Sequence, residues 1–153
     1  MLMHLTADQI ACLPERRHIH QFEPNGVRHM RTLGLAAGLN RLGVHLIRLT
    51  SGHVSTQQHW HDADEEFIYI LSGRGVAWLD AARVPIRAGD FLGFGAPSAA
   101  HALENPFAED LVYLVGGERN AVDLVHYPRI ERTLVKAHGA RRWIDWAAVN
   151  DLP

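Results

Sequence analysis

The chain has 153 residues and one cysteine, Cys12, so no internal disulfide can staple it, and a lone thiol suits a reducing compartment. Long apolar runs are missing as well. The longest clean ones, such as Phe67 to Leu71 and Leu111 to Val115, have five residues each, against about 20 for a membrane-crossing helix. There is no basic excess: 15 Lys and Arg face 17 Asp and Glu, and the net charge of -2 lacks the positive balance that nucleic-acid binding favours. The opening segment, Met1 to Ile10, carries neither a basic leader nor an apolar stretch ahead of a small-residue cleavage site, so no secretory signal is expected. These absences point to a cytoplasmic protein with no nucleic-acid or membrane partner.

What is present fits one domain with a sizeable core, since 47% of the residues are apolar and 21% charged. Between Gly43 and His126 the sequence reads as short strands rich in Val, Ile, Leu, Phe, Tyr and Trp. The segments are Val44–Thr50, Val54–His61, Glu66–Leu71, Gly75–Leu79, Arg83–Ile86, Asp90–Phe94, Ala99–Leu103, Leu111–Val115 and Ala121–His126. Ser51-Gly52, Ser72-Gly73, Ala88-Gly89, Asn105-Pro106 and Gly116-Gly117 read as turns between them. Many short strands at close spacing predict an all-β sandwich or barrel. Residues 1–42 form an N-terminal extension packing on it, with a helix over Thr6–Leu13 capped by Thr6 and ended by Pro14, and a turn at Pro24-Asn25-Gly26. Residues 127–153 form a C-terminal extension, either a cap on the barrel mouth or on a neighbouring subunit, or a solvated tail with a short helix over Trp143–Val149.

The informative stretch is Gly52 to Gly73, which contains His59-Trp60-His61 and, four residues on, Glu66. On a strand, residues i and i+2 share a face, so His59 and His61 project two imidazoles to one side, roughly 6–7 Å apart by strand rise. A turn through Asp62-Ala63-Asp64 would bring Glu66 back from the next strand as an oxygen donor. With 11 histidines in the chain, His-x-His alone carries little weight, and His18-Ile19-His20 is a second copy without an acidic follower. A second element, Gly89 through Gly95-Ala96-Pro97 to His101 and Asn105, supplies the weight.

Together the two elements resemble the paired motifs of the cupin superfamily. In the first, Gly52, His59, His61, Glu66 and Gly73 fall in the family's order, with one extra residue before His59. In the second, Gly89, His101 and Asn105 match, Pro and Gly have exchanged places at positions 95 and 97, and the approach to His101 is one residue long. The resemblance covers about residues 43–120, and the 15 residues between Gly73 and Gly89 suit the compact microbial form. It implies a double-stranded β-helix (cupin) barrel over 43–126 that binds one divalent metal ion through His59, His61, Glu66 and His101. Glu65 is the rival for the carboxylate. Three imidazoles and a carboxylate suit Fe, Mn, Ni, Cu or Zn and leave a coordination position open. Substrate oxygen can be polarised there.

If Glu66 faces inward, so do Ile68 and Ile70, and these with Gln57 are expected to line a compact, partly apolar pocket rather than one for a large charged sugar. Phe67, Tyr69, Leu71 and Trp60 then face outward, and the apolar outer face asks for cover, a homodimer partner being the natural one. His53, Glu104, His126 and Tyr127 are acid or base candidates by type only. His4, His18, His20, His29, His45 and His138 have no partner at ligand spacing and read as structural or exposed, and Arg119 reads as pairing with Glu118 or another nearby carboxylate, the alternative being contact with an anionic substrate. The expected function is metal-dependent chemistry on a small oxygen-containing molecule, as oxygenase, isomerase, decarboxylase or lyase. The alternative is a non-catalytic module that binds or senses a small molecule.

Overall fold

The computed structural model describes residues 3–150. Thr6 opens α1 (Ala7–Cys12): its hydroxyl accepts from the Gln9 amide, while the Gln9 side chain accepts from the Thr6 amide, a reciprocal capping box. Strands β1 (Arg16–His20) and β2 (Glu23–Thr32) then form a hairpin. Its turn is Gln21-Phe22, not Pro24-Asn25-Gly26, which lies inside β2. His20 pairs with Glu23 and its Nδ1 accepts from the Phe22 amide, so the chain reverses before it reaches the proline.

After α2 (Leu33–Ala36) the chain is almost entirely strand: β3 (Leu42–Leu49), β4 (His53–Val54), β5 (Trp60–His61), β6 (Glu66–Ser72), β7 (Arg74–Leu79), β8 (Ala82–Arg87), β9 (Phe91–Phe94), β10 (His101–Asn105), β11 (Leu111–Glu118), β12 (Val122–Tyr127), β13 (Arg132–Ala137) and β14 (Ala140–Asp145). All pairings are antiparallel. One six-stranded sheet runs β1-β2-β3-β11-β6-β9, and two four-stranded sheets run β4-β10-β7-β8 and β14-β13-β12-β5. This is the expected all-β double-stranded β-helix.

Four local expectations give way to tertiary pairing. Val54–His61 is not one strand but two short ones separated by bends. Gly116 and Gly117 are not a turn. They lie within β11, where a Cβ on Gly117 would stand 2.8 Å from Glu66 Cγ, so the glycine makes room for that side chain. Trp143–Val149 is not a helix, because Trp143 pairs with Leu134 in the β13–β14 hairpin and only a single 3-10 turn, Trp146–Ala148, follows. Residues 1–42 do more than pack on the barrel, since β1 and β2 extend its largest sheet through β2–β3 pairing.

Ile47, Leu49, Ile68, Ile70, Phe94, Leu103, Leu111 and Tyr113 make the main core between the sheets. Each large apolar side chain buried there contributes about 1.5–3 kcal/mol. A second cluster, Val125, Tyr127 and Leu134 with Trp143 against it, sits under the third sheet. Asn105, fully buried, donates to the Leu49 and Glu109 carbonyls and accepts from the Phe107 amide, closing the turn between β10 and β11. No helix among the described residues is long and apolar enough to cross a membrane.

Candidate metal centre

Three strands and a bridge bring the sequence-predicted quartet together. The His59 and His101 backbones pair with each other, amide to carbonyl in both directions, which sets two imidazoles side by side with ring centres 4.7 Å apart. His61 lies on β5, held against Val125 of β12. Glu66 begins β6, flanked by Gly117 and Phe94, and the Phe94 ring stacks on the His101 imidazole at 3.6 Å.

The result is convergence on a single oxygen. Glu66 Oε2 stands 3.2 Å from His101 Nε2, 3.5 Å from His61 Nε2 and 3.7 Å from His59 Nε2. The other ring nitrogens are already engaged. His59 Nδ1 faces the Gln57 carbonyl at 3.1 Å, His101 Nδ1 the Ala99 carbonyl at 3.2 Å, and His61 Nδ1 the Asp123 carboxylate at 2.7 Å. All three partners are acceptors, so each Nδ1 carries the hydrogen, and in its neutral form each ring presents a bare Nε2 lone pair toward Glu66. His61 Nε2 is buried with no hydrogen-bond partner. Lone pairs and a carboxylate facing one another repel, and a cation between them removes the repulsion. The donor set therefore fits a divalent ion, with the orienting acceptors that metal-bound histidines use. Glu65, the rival carboxylate, is exposed.

Without a cation, protons on the imidazoles take its place beside the carboxylate. Burial alone would raise the Glu66 carboxyl, but the imidazoles of His101, His59 and His61 outweigh it and hold the group well below the usual carboxylate range. His59 is pushed down, by burial above all and by the neighbouring His101 and His61. Burial opposes charge on His61 too, yet Glu66 and Asp123 outweigh it and raise that imidazole. Asp123 is itself fully buried, and despite burial it is held far below its ordinary value by Lys136, His61 and the Ala63 amide.

His61, Asp64 and Asp123 also lie within ligand distance of one another. Here Lys136 Nζ already occupies the space, 2.7 Å from Asp64 and 2.6 Å from Asp123. That cluster is a support for His61, closed by the Ala63 and Asp64 amides on Asp123, and no spacing in the sequence hinted at it.

The centre opens into a cavity of about 1150 Å³. Of the other expected lining residues, Ile68 lines it. Ile70 lies instead in the core, and Gln57 points elsewhere, its amide donating to the Phe22 carbonyl and the Glu23 carboxylate. Strand parity misplaces Gln57 because bends break the strand before His59. The pocket is also more charged than expected: Arg28, Arg119, Lys136 and Arg141 line it, with His18, His20 and His45. His45 was legible by parity, sharing a face with buried Ile47 and Leu49 on β3. Arg28, His18 and His20 come from the β1–β2 hairpin, whose place in the sheet no local pattern announces.

Of the candidates by type, Tyr127 lines the cavity and stacks on His59 at 5.5 Å, and burial pushes its hydroxyl up to about 12. His126 lies on the outer face, stacked on Trp60 and 3.2 Å from Asp62. His53 meets Thr50, and Glu104 meets the Trp78 indole, neither in the cavity lining.

The chain matches no curated protein sequence. Residues 45–117 match the model of the cupin domain. Among solved structures, a protein provisionally named sugar phosphate isomerase from Acidithiobacillus ferrooxidans is 37% identical, with TM-score 0.94 over 99% of this chain and 97% of its own. A sugar phosphate isomerase from a cupin superfamily, from Silicibacter pomeroyi, is 25% identical, with TM-score 0.81 over 95% of this chain and 94% of its own. A protein from Thermotoga maritima predicted to be an oxalate decarboxylase is 25% identical, with TM-score 0.63 over 72% of this chain and 96% of its own. With the barrel, both motifs and a full-length relative in agreement, the chain belongs to the cupin superfamily.

Proposed function

We propose that the protein is a divalent-metal-dependent enzyme acting on a small oxygen-rich molecule, and that its reaction is the isomerisation of a phosphorylated sugar. The observation that carries the metal reading is the meeting of three Nε2 atoms at 3.2–3.7 Å from Glu66 Oε2, every Nδ1 being engaged elsewhere. His59, His61, Glu66 and His101 would hold the ion. Bound there, it would supply Lewis-acid polarisation of substrate oxygens. The isomerase reading draws on the two relatives that carry that name and match along almost their whole length.

The chain's own groups suit a polyhydroxylated substrate. Tyr127, kept protonated by a pKa of about 12, donates a hydrogen bond at neutral pH. His20, lowered to about 4 chiefly by burial, is neutral there, and because Nδ1 accepts from Phe22, its Nε2–H is the donor. Both orient hydroxyls without adding charge. Incubating the metal-loaded protein with pentose and hexose phosphates should interconvert aldose and ketose, followed by proton NMR, and His61→Ala should abolish it. Failure of every sugar phosphate, with consumption of oxalate instead, would replace this reading by decarboxylation.

The chain is also proposed to pair with a second copy. β9 is an edge of the six-stranded sheet, and Phe91 on it is 65% exposed beside exposed Tyr69 and Leu71. Such an edge invites association. Sedimentation should give a dimer that Phe91→Glu dissociates, and a monomeric parent would refute it. Exposed, unpaired Cys12 fits a reducing, cytoplasmic setting.

A further inference from the structure

The inner face of the six-stranded sheet has one row without bulky side chains. Glu66 on β6 pairs with Gly117 on β11, and Gly117 pairs with Gly43 on β3. Two strand spacings put Gly43 roughly 10 Å from Glu66. Both glycines line the cavity, so a bare floor leads from the histidine cluster across to β3.

Cationic and hydrogen-bonding groups collect where the floor ends. A Cβ on Gly43 would stand 3.1 Å from Arg119 Nε and 3.5 Å from His45 Nε2, so this glycine leaves one small space flanked by a guanidinium and an imidazole. His45 Nδ1 is buried without a partner, and so is Arg28 Nε, whose Nη1 donates to the Ser55 carbonyl. Burial lowers the His45 pKa, and the charges of Arg119 and Arg28 lower it further, as expected for a ring between two cations. Among the described residues neither arginine forms an ion pair. Glu118, the neighbour expected to neutralise Arg119, accepts instead from the Glu65 amide and the Asn120 side chain. A buried guanidinium N–H and a buried imidazole nitrogen without partners, beside unpaired positive charge, are what an anionic ligand group satisfies.

We propose that Arg119 and His45, backed by Arg28, form an anion subsite that takes the phosphate of the substrate while its sugar hydroxyls lie along the Gly43–Gly117 floor toward the histidine cluster. The identity of the anion as a sugar phosphate rests on the isomerase reading. The subsite itself rests on the unpaired groups.

The test is calorimetric titration of inorganic phosphate into the full chain, as purified and after chelator treatment, beside Arg119→Gln, His45→Phe and Arg87→Gln, the last an exposed arginine outside the cavity lining. The parent should bind phosphate, with at least tenfold loss in Arg119→Gln and in His45→Phe, no change in Arg87→Gln and none on chelation. Because Arg119 is exposed, Arg119→Gln should fold even if His45→Phe does not. No phosphate binding by the parent, equal affinity in Arg119→Gln, or loss of binding on chelation would overturn the subsite. The two readings fail separately. Phosphate held by Arg119 in a protein that turns over no sugar phosphate removes the isomerase and keeps the subsite. Turnover with a KM untouched by Arg119→Gln does the reverse.

Discussion

The two ends of the cavity bury polar groups in opposite ways. At one end His59, His61, His101 and Glu66 present acceptors to one another, their hydrogen-bond donors already engaged behind them. At the other, Arg28 Nε and His45 Nδ1 are buried without a partner, and exposed Arg119 adds positive charge that no ion pair among the described residues neutralises. An unsatisfied buried polar group costs about 1–3 kcal/mol, so neither arrangement is a resting place for a protein that binds nothing. On the proposed reading, a cation completes the first end and an anion the second. A ligand carrying oxygens for a metal at one end and a phosphate at the other satisfies both.

Asp123 is where the two ends separate most readily. This buried carboxylate fixes the His61 tautomer and is itself held by Lys136, yet it lies outside the cavity lining. Asp123→Asn should lower divalent-metal affinity by about 10- to 100-fold, as the loss of such an orienting partner does, and leave phosphate affinity as in the parent. Competition with a chromophoric chelator reads the first quantity. Unchanged metal affinity would mean that His61 is not held through Asp123.

His20 feels both ends, with Arg28 on one side and His59 on the other. Burial is the main cause of its depressed pKa, and Arg28 and His59 add to it. The ring is neutral in the folded protein down to about pH 4, whereas in the unfolded chain it takes up a proton near 6.5. Below 6.5 the unfolded state binds more protons, so stability is lost as pH falls from 6.5 toward 4 and levels off below that. Between pH 7 and pH 5 the parent should lose about 2 kcal/mol more than His20→Gln in urea unfolding. Equal losses would place the proton on His20 in the folded state, against a cationic far end.

How much of this was legible depended on how local the signal is. The metal quartet sits in two short motifs, and His59 with His61 needs only the two-residue repeat of a strand to share a face. The cationic end is assembled by register. Arg28 reaches the cavity only because β2 pairs with β3, and the open floor exists only because Gly43, Gly117 and Glu66 fall opposite one another on three strands distant in sequence. Gly116-Gly117 carries a strong turn signal, yet what Gly117 supplies is space for Glu66. Trp143–Val149 reads as a short helix until Leu134 is known to lie across from Trp143.

Whether the histidine–carboxylate cluster holds one divalent ion is read most directly by elemental mass spectrometry on untagged protein. The parent, as purified or after reconstitution, should carry near one equivalent of a transition metal per chain, with little in His61→Ala or Glu66→Ala and parent-like folding by circular dichroism. A parent that retains no metal after exposure to each of Fe, Mn, Ni, Cu and Zn, or a Glu66→Ala variant that retains it in full, would contradict the account.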